Sequence, residues 1–148
     1  MCPDSDGPVL QGIEPTFFPE SVAAPRLAPD ARFVRNTWYV AMFASELDEG
    51  KLVHRTILNH PIVFYRKEDG GIAAITDRCP HRFVPLSMGT LLSGDKLQCI
   101  YHGLQFGADG KCALNPHGSG KVSSTLDLRS FPVVEKHTLI WIWMGEKP

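Results

Sequence analysis

A small all-β sandwich or barrel, with two ligand-bearing loops side by side at one end, is the fold this sequence predicts. Three observations lead there. From Phe33 onward, short runs rich in β-branched and aromatic residues follow one another. Turn signals such as Asp69-Gly70-Gly71 and Ala108-Asp109-Gly110 punctuate those runs. No segment carries a sustained helical period, and no internal repeat is evident.

The elements follow in order. Residues 36–43 (NTWYVAMF) have the aromatic and β-branched content of a first strand, and Ser45-Glu46-Leu47 predicts one helical turn. Residues 52–58 and 61–66 read as strands, and Asp69-Gly70-Gly71 turns the chain into a further strand over 72–76. Residues 96–100 run into a loop, and 104–106 and 111–114 flank Ala108-Asp109-Gly110 as another hairpin. Residues 132–136 and 138–144 finish the chain. In the last run Leu139, Trp141 and Trp143 alternate with Ile140, Ile142 and Met144, which predicts an inner strand buried on both faces, with Trp38 joining the core.

Upstream, residues 1–31 hold six of the twelve prolines together with Asp4, Asp6, Glu14 and Glu20. They read as a poorly ordered tail, leaving 32–148 as one folded domain. Phe17-Phe18 is expected to pack back on that domain. The chain has 148 residues, 43% of them hydrophobic, and a net charge of -1. That size suits one modest core, and the charge points to neither nucleic acid nor a membrane surface. No run approaches the ~20 apolar residues of a membrane span. The first basic residue is Arg26, so the start lacks the positive region of a targeting signal. Four cysteines are too few for a disulfide framework, and free thiolates imply a reducing compartment, the cytoplasm.

Chemistry concentrates in Cys79-Pro80-His81 and Cys99-Ile100-Tyr101-His102, a C-x-H-x17-C-x2-H arrangement. Each segment offers one thiolate and one imidazole. A Rieske-type [2Fe–2S] cluster needs that division, since two thiolates bind one iron and two imidazoles the other. Cys79, His81, Cys99 and His102 are therefore the predicted metal and cofactor ligands. A structural zinc site also accepts two Cys and two His, but usually keeps like ligands together in sequence. A zinc-bearing or metal-free structural module is the competing class.

Around these loops, Arg78 and Arg82 form a positive rim that could steer an acidic electron donor, or they brace the loop through carbonyl groups. Gly103 lets the backbone approach the cluster. Cys112 reads as a small apolar core residue and Cys2 as incidental. His54 and His60 fall in or beside a strand with no carboxylate at a supporting spacing. His117 and His137 sit near turns and read as solvated, so His117→Ala is expected to leave the cluster intact.

Beyond the ligand motif, FVRNTWYVA, CPHRFVPLSMG, CIYHGLQFGADGKC, NPHGSG and RSFPVVEKHTLIWIWMG resemble the Rieske non-haem iron oxygenases, nearest to the vanillate O-demethylase and dicamba monooxygenase group. The resemblance runs from about Phe33 to Gly145. It implies that Cys79 and Cys99 hold the iron that stays ferric, and His81 and His102 the iron that changes valence. It implies electrons arriving from NAD(P)H through a reductase or ferredoxin. They would leave for a mononuclear Fe(II) held by two His and one carboxylate in a second, catalytic domain. Family members oxygenate or O-demethylate aromatic acids, and their Rieske domains donate to a neighbouring subunit's catalytic domain. High-potential respiratory relatives of the cluster carry a disulfide and a serine donor where this chain has Val84, Tyr101 and Leu104. The expected potential is therefore at the low end of the Rieske range, about −150 mV. No catalytic-iron triad occurs before Pro148, so the domain is expected to be part of an oxygenase component whose catalytic domain lies elsewhere. The alternative is an autonomous Rieske-type ferredoxin that feeds a separate oxygenase.

Overall fold

Ten strands and three single-turn 3-10 helices follow one another through residues 33–146, the part of the chain described in this computed structural model. The strands are β1 (Thr37–Phe43), β2 (Val53–Ile57), β3 (His60–Arg66), β4 (Ile72–Thr76), β5 (Thr90–Leu92), β6 (Lys96–Gln98), β7 (Gln105–Phe106), β8 (Cys112–Leu114), β9 (Val133–Lys136) and β10 (Leu139–Met144). Every pairing is antiparallel. The all-β expectation holds, and most strand boundaries fall within two residues of the predicted ones. The tail signals, Cys2 and Phe17-Phe18 among them, lie outside the described residues.

The strands form three sheets, ordered β1-β10-β9, β2-β3-β4 and β5-β6-β7-β8. β3 explains how they stack. Its centre, Ile62-Val63-Phe64-Tyr65, is fully buried although alternate residues must point to opposite faces. Ile62 and Phe64 pack with Met42, Leu47, Ile140, Ile142 and Met144 of the β1-β10-β9 side. Val63 and Tyr65 pack with Leu86, Leu97, Leu104 and Phe106 of the β5–β8 side, where Cys79 and Cys99 also lie. The middle sheet is thus covered on both faces and separates two apolar cores. Its β4 edge is also paired, through the Ile75–Ser130 bridge and the Thr76 and Phe131 amides.

β10 is an inner strand, as its alternation predicts, but one face alone is fully buried. Ile140, Ile142 and Met144 are buried, whereas Leu139, Trp141 and Trp143 are half-exposed. Trp38 lies opposite Trp143 in the register, with ring centroids 5.6 Å apart in an edge-on contact, and is 39% exposed. The tryptophans therefore pave the outer face of the β1-β10-β9 sheet rather than its core. Their size misled the sequence reading, because a large aromatic surface is rarely buried entire.

Candidate metal centre

Both predicted ligand segments leave strands at the same end of the molecule, and they fold alike. In the first loop the Cys79 amide donates to the Val84 carbonyl (2.9 Å), and the Phe83 amide donates back to the Cys79 carbonyl (2.8 Å). In the second, the Cys99 amide donates to Leu104 (2.8 Å) and the Gly103 amide to Cys99 (3.1 Å). Each loop thus closes on its own cysteine with the same pair of bonds. The fourth residue after each cysteine takes the left-handed backbone conformation, Phe83 at φ 62° and Gly103 at φ 75°. Glycine suits that conformation, whereas a phenylalanine there is strained. The Arg78 guanidinium, 4.4 Å over the Phe83 ring, braces it. Arg78 therefore holds the loop, though by ring stacking rather than through a carbonyl.

The like loops bring like donors together. Cys79 and Cys99 are both buried, at 1% exposure, and lie close enough for one thiol to act on the other. The His81 and His102 ring centroids stand 4.5 Å apart, with His81 exposed and His102 half-buried. Burial, chiefly, pushes the Cys79 thiol up, and the adjacent Cys99 adds to this; the backbone amides of His81 and Arg82 oppose it by donating toward the sulfur. Burial, then the neighbouring His81, His117 and Arg82 side chains, lower His102, the direction that favours the neutral imidazole a metal requires. Among the described residues, no group of three or more Cys, His, Asp or Glu side chains converges on a point that a single metal ion could occupy. The donors stand instead as an inner thiol pair and an outer imidazole pair, a set that fits a two-iron cluster spanning both.

Two features around the loops differ from the sequence expectations. His54 does have a carboxylate partner, since its Nδ1 donates to Asp77 Oδ2 at 2.6 Å. Asp77 is buried just before the first loop and also accepts from the Ser87 amide (2.6 Å) and hydroxyl (2.7 Å). The partners lie 23 residues apart and meet only because β2, β3 and β4 pair in register. His117, expected to be merely solvated, donates from Nε2 to the His102 carbonyl at 2.9 Å. Its ring centroid lies 5.4 Å from that of His102 and 5.7 Å from that of His81. The NPHGSG segment was a signal for it, but nothing in its spacing tied it to the ligands. His137 is exposed at a turn, and His60 opens β3 with its ring 6.3 Å from Phe131. Cys112 is buried as expected, and burial raises its thiol.

An exposed apolar collar rings the ligand end, made of Phe83, Met88, Ile100 and Tyr101. Tyr101 lies against the His102 ring, with centroids 3.8 Å apart. No helix among the described residues is long and apolar enough to cross a membrane.

The chain is 56% identical over 114 residues to the oxygenase component of dicamba O-demethylase from Stenotrophomonas maltophilia, covering 77% of this chain and 33% of that protein. It is 42% identical over 115 residues to the vanillate O-demethylase oxygenase subunit of Pseudomonas sp. (strain HR199 / DSM 7063), covering 78% of this chain and 31% of the relative. The crystal structure of dicamba monooxygenase bound to dicamba superposes with a TM-score of 0.72 at 55% identity, over 77% of this chain and 36% of that one. The chain thus spans about a third of the length of the relatives it matches. The Rieske [2Fe-2S] domain family matches residues 37–132, the span that carries both ligand loops, and the chain belongs to that family.

Proposed function

We propose that Cys79, His81, Cys99 and His102 hold the [2Fe–2S] cluster, and that this domain passes single electrons within the oxygenase component of an aromatic-acid monooxygenase or O-demethylase. The observation that carries the reading is the pair of like-folded loops, which set two thiols together inside and two imidazoles together at the surface. When bound, the cluster supplies one-electron storage without an open coordination position for dioxygen. The chain's own residues do the rest. The buried cysteines exclude water from the inner side. His81 and His102 present the edge nearest solvent, where a partner can approach closely.

The collar of Phe83, Ile100 and Tyr101, with the exposed Arg78 and Arg82 beside it, supports docking of an acidic reductase or ferredoxin. The acceptor in this reading is a mononuclear Fe(II) in a catalytic domain, of the same parent chain, a neighbouring subunit or a separate oxygenase. Oxygenation of the aromatic substrate belongs to that domain, and this chain alone transfers electrons.

Anaerobic reconstitution tests the assignment. The chain should take up two irons and two sulfides. After reduction it should show the electron paramagnetic resonance signal of mixed His/Cys ligation, and His102→Ala should abolish or convert it. Stoichiometric zinc with no iron would overturn the reading. Reduced protein supplied with oxygen and a methoxybenzoate should release no demethylated phenol.

A further inference from the structure

The segment 115–120 does more than cover a surface. It is braced to hold one imidazole. The Asn115 Oδ1 accepts from the His117 amide (3.1 Å), and its Nδ2 donates to the Lys121 carbonyl (3.0 Å). The Gly120 amide closes the loop on the His117 carbonyl (3.0 Å), and Gly118 and Gly120 take the positive φ angles this requires. Pro116 Cγ stands 3.5 Å from where a side chain on Gly103 would begin, so the loop lies directly on the second ligand loop. An exposed histidine on a polar loop is ordinarily solvated. Here its ring is instead carried to both ligand imidazoles, and its Nε2 hydrogen bonds the carbonyl between His102 and Gly103.

We infer that His117 is a positioning residue: a third, non-ligating imidazole that latches the 115–120 loop onto the second ligand loop and fixes the direction in which His102 meets the metal. The physical argument is local. The His102 carbonyl belongs to the peptide that turns at Gly103, and the Gly103 amide closes the loop onto Cys99. Holding that carbonyl fixes the peptide plane and hence the backbone angle from which the His102 side chain springs. The His117 ring also stands beside both imidazoles, 5.7 Å from His81 and 5.4 Å from His102 between centroids. Hydrogen bonding and solvent exposure are two of the levers on cluster retention and potential.

This inference rests on the ligand assignment proposed above, and the experiment separates the two. The reconstituted full chain and its His117→Ala, His117→Gln and His117→Phe variants are compared by iron release to a chelator, by voltammetry and by electron paramagnetic resonance. His117→Ala should lose iron roughly tenfold faster, the low end of the loss typical when a ligand's supporting hydrogen bond is removed. Its potential and g-values should shift. His117→Gln, whose Nε2 can still donate to the His102 carbonyl, should recover retention and spectrum towards the unmodified chain. His117→Phe, which fills the space without a donor, should not. If all three variants match the unmodified chain in release, potential and spectrum, the inference is overturned while the ligand assignment stands. If the unmodified chain forms no two-iron cluster, both fall together.

Discussion

A single buried carboxylate joins three segments around the first ligand loop. Asp77 accepts from His54 on β2 and from both the amide and hydroxyl of Ser87 beyond the loop. Asp77→Ala leaves the half-buried Ser87 amide without its partner and removes charge-assisted bonds, which should cost about 3 kcal/mol in denaturant unfolding. Asp77→Asn, with one acceptor oxygen instead of two, should fall between. Unchanged stability in both would show that water replaces the carboxylate. His60 supplies a pH dependence away from the ligands. Burial, then the charges of Arg129 and Arg35, hold its imidazole below the ordinary value of 6.5. The unfolded chain therefore takes up the proton at higher pH than the folded one. Its stability contribution is full above that value and is lost as pH falls below it. Between about pH 7.5 and 5.5 the unfolding midpoint should drop, and His60→Gln should make that drop shallower. Equal slopes would exclude the group. The four proposed ligands were legible because each Cys/His pair is a local spacing. Asp77–His54 and His117–His102 were not, because 23 and 15 residues separate partners that only the folded chain brings together.

Hairpins and loop closures show the same division one level up. Turns with glycine, such as Asp69-Gly70-Gly71 and Ala108-Asp109-Gly110, announced themselves. The β9–β10 turn is made by His137 and Thr138, both at positive φ (54° and 63°), and the β2–β3 turn by Leu58 and Asn59 in the same conformation. Two-residue hairpin turns need that geometry, but leucine and a β-branched threonine do not advertise it. β5 was missed for a related reason, since its three residues make a strand only by pairing with β6. Thr138→Gly relieves the strained position and should stabilise the fold by about 1 kcal/mol in chemical denaturation, less whatever its hydroxyl contributes. Glycines at the loops behave differently from one another. At Gly103 the nearest atom to an added Cβ is an ordinary contact at 3.5 Å, so Gly103→Ala costs only its positive φ, about 1 kcal/mol. At Gly89 an added Cβ would overlap the Gln98 carbonyl oxygen, part of the β6 backbone. Gly89→Ala must therefore push the 3-10 turn Leu86–Met88, after the first loop, away from β6. It should destabilise the protein more than Gly103→Ala, and a reversed order in thermal unfolding would contradict this.

The covered middle sheet makes the molecule a stack with two unequal cores, something the sequence showed only as a run of four apolar residues in β3. One core, between β2-β3-β4 and β1-β10-β9, is built from apolar side chains with no cysteine among them. The other includes Cys79, Cys99 and Leu104, so the inner side of the ligand loops is itself core. Short strands of two or three residues border that second core, and such elements depend on tertiary contacts for their stability. A cluster joining the two loops would bind the folded state and not the unfolded one, so its free energy of binding adds to folding. Its removal should act unevenly. Without iron, amide exchange should accelerate across β5–β8 and both ligand loops, while β1, β9 and β10 keep their protection because their core contains no ligand. β3 and β4 face both cores and should respond in between, the amides of Val63 and Tyr65 exchanging no faster than the sheet's own opening allows. Hydrogen exchange read by mass spectrometry on the loaded and iron-free chain measures this directly. A uniform loss of protection through β1 and β10 would mean that the two cores unfold as one unit and that the middle sheet does not insulate them.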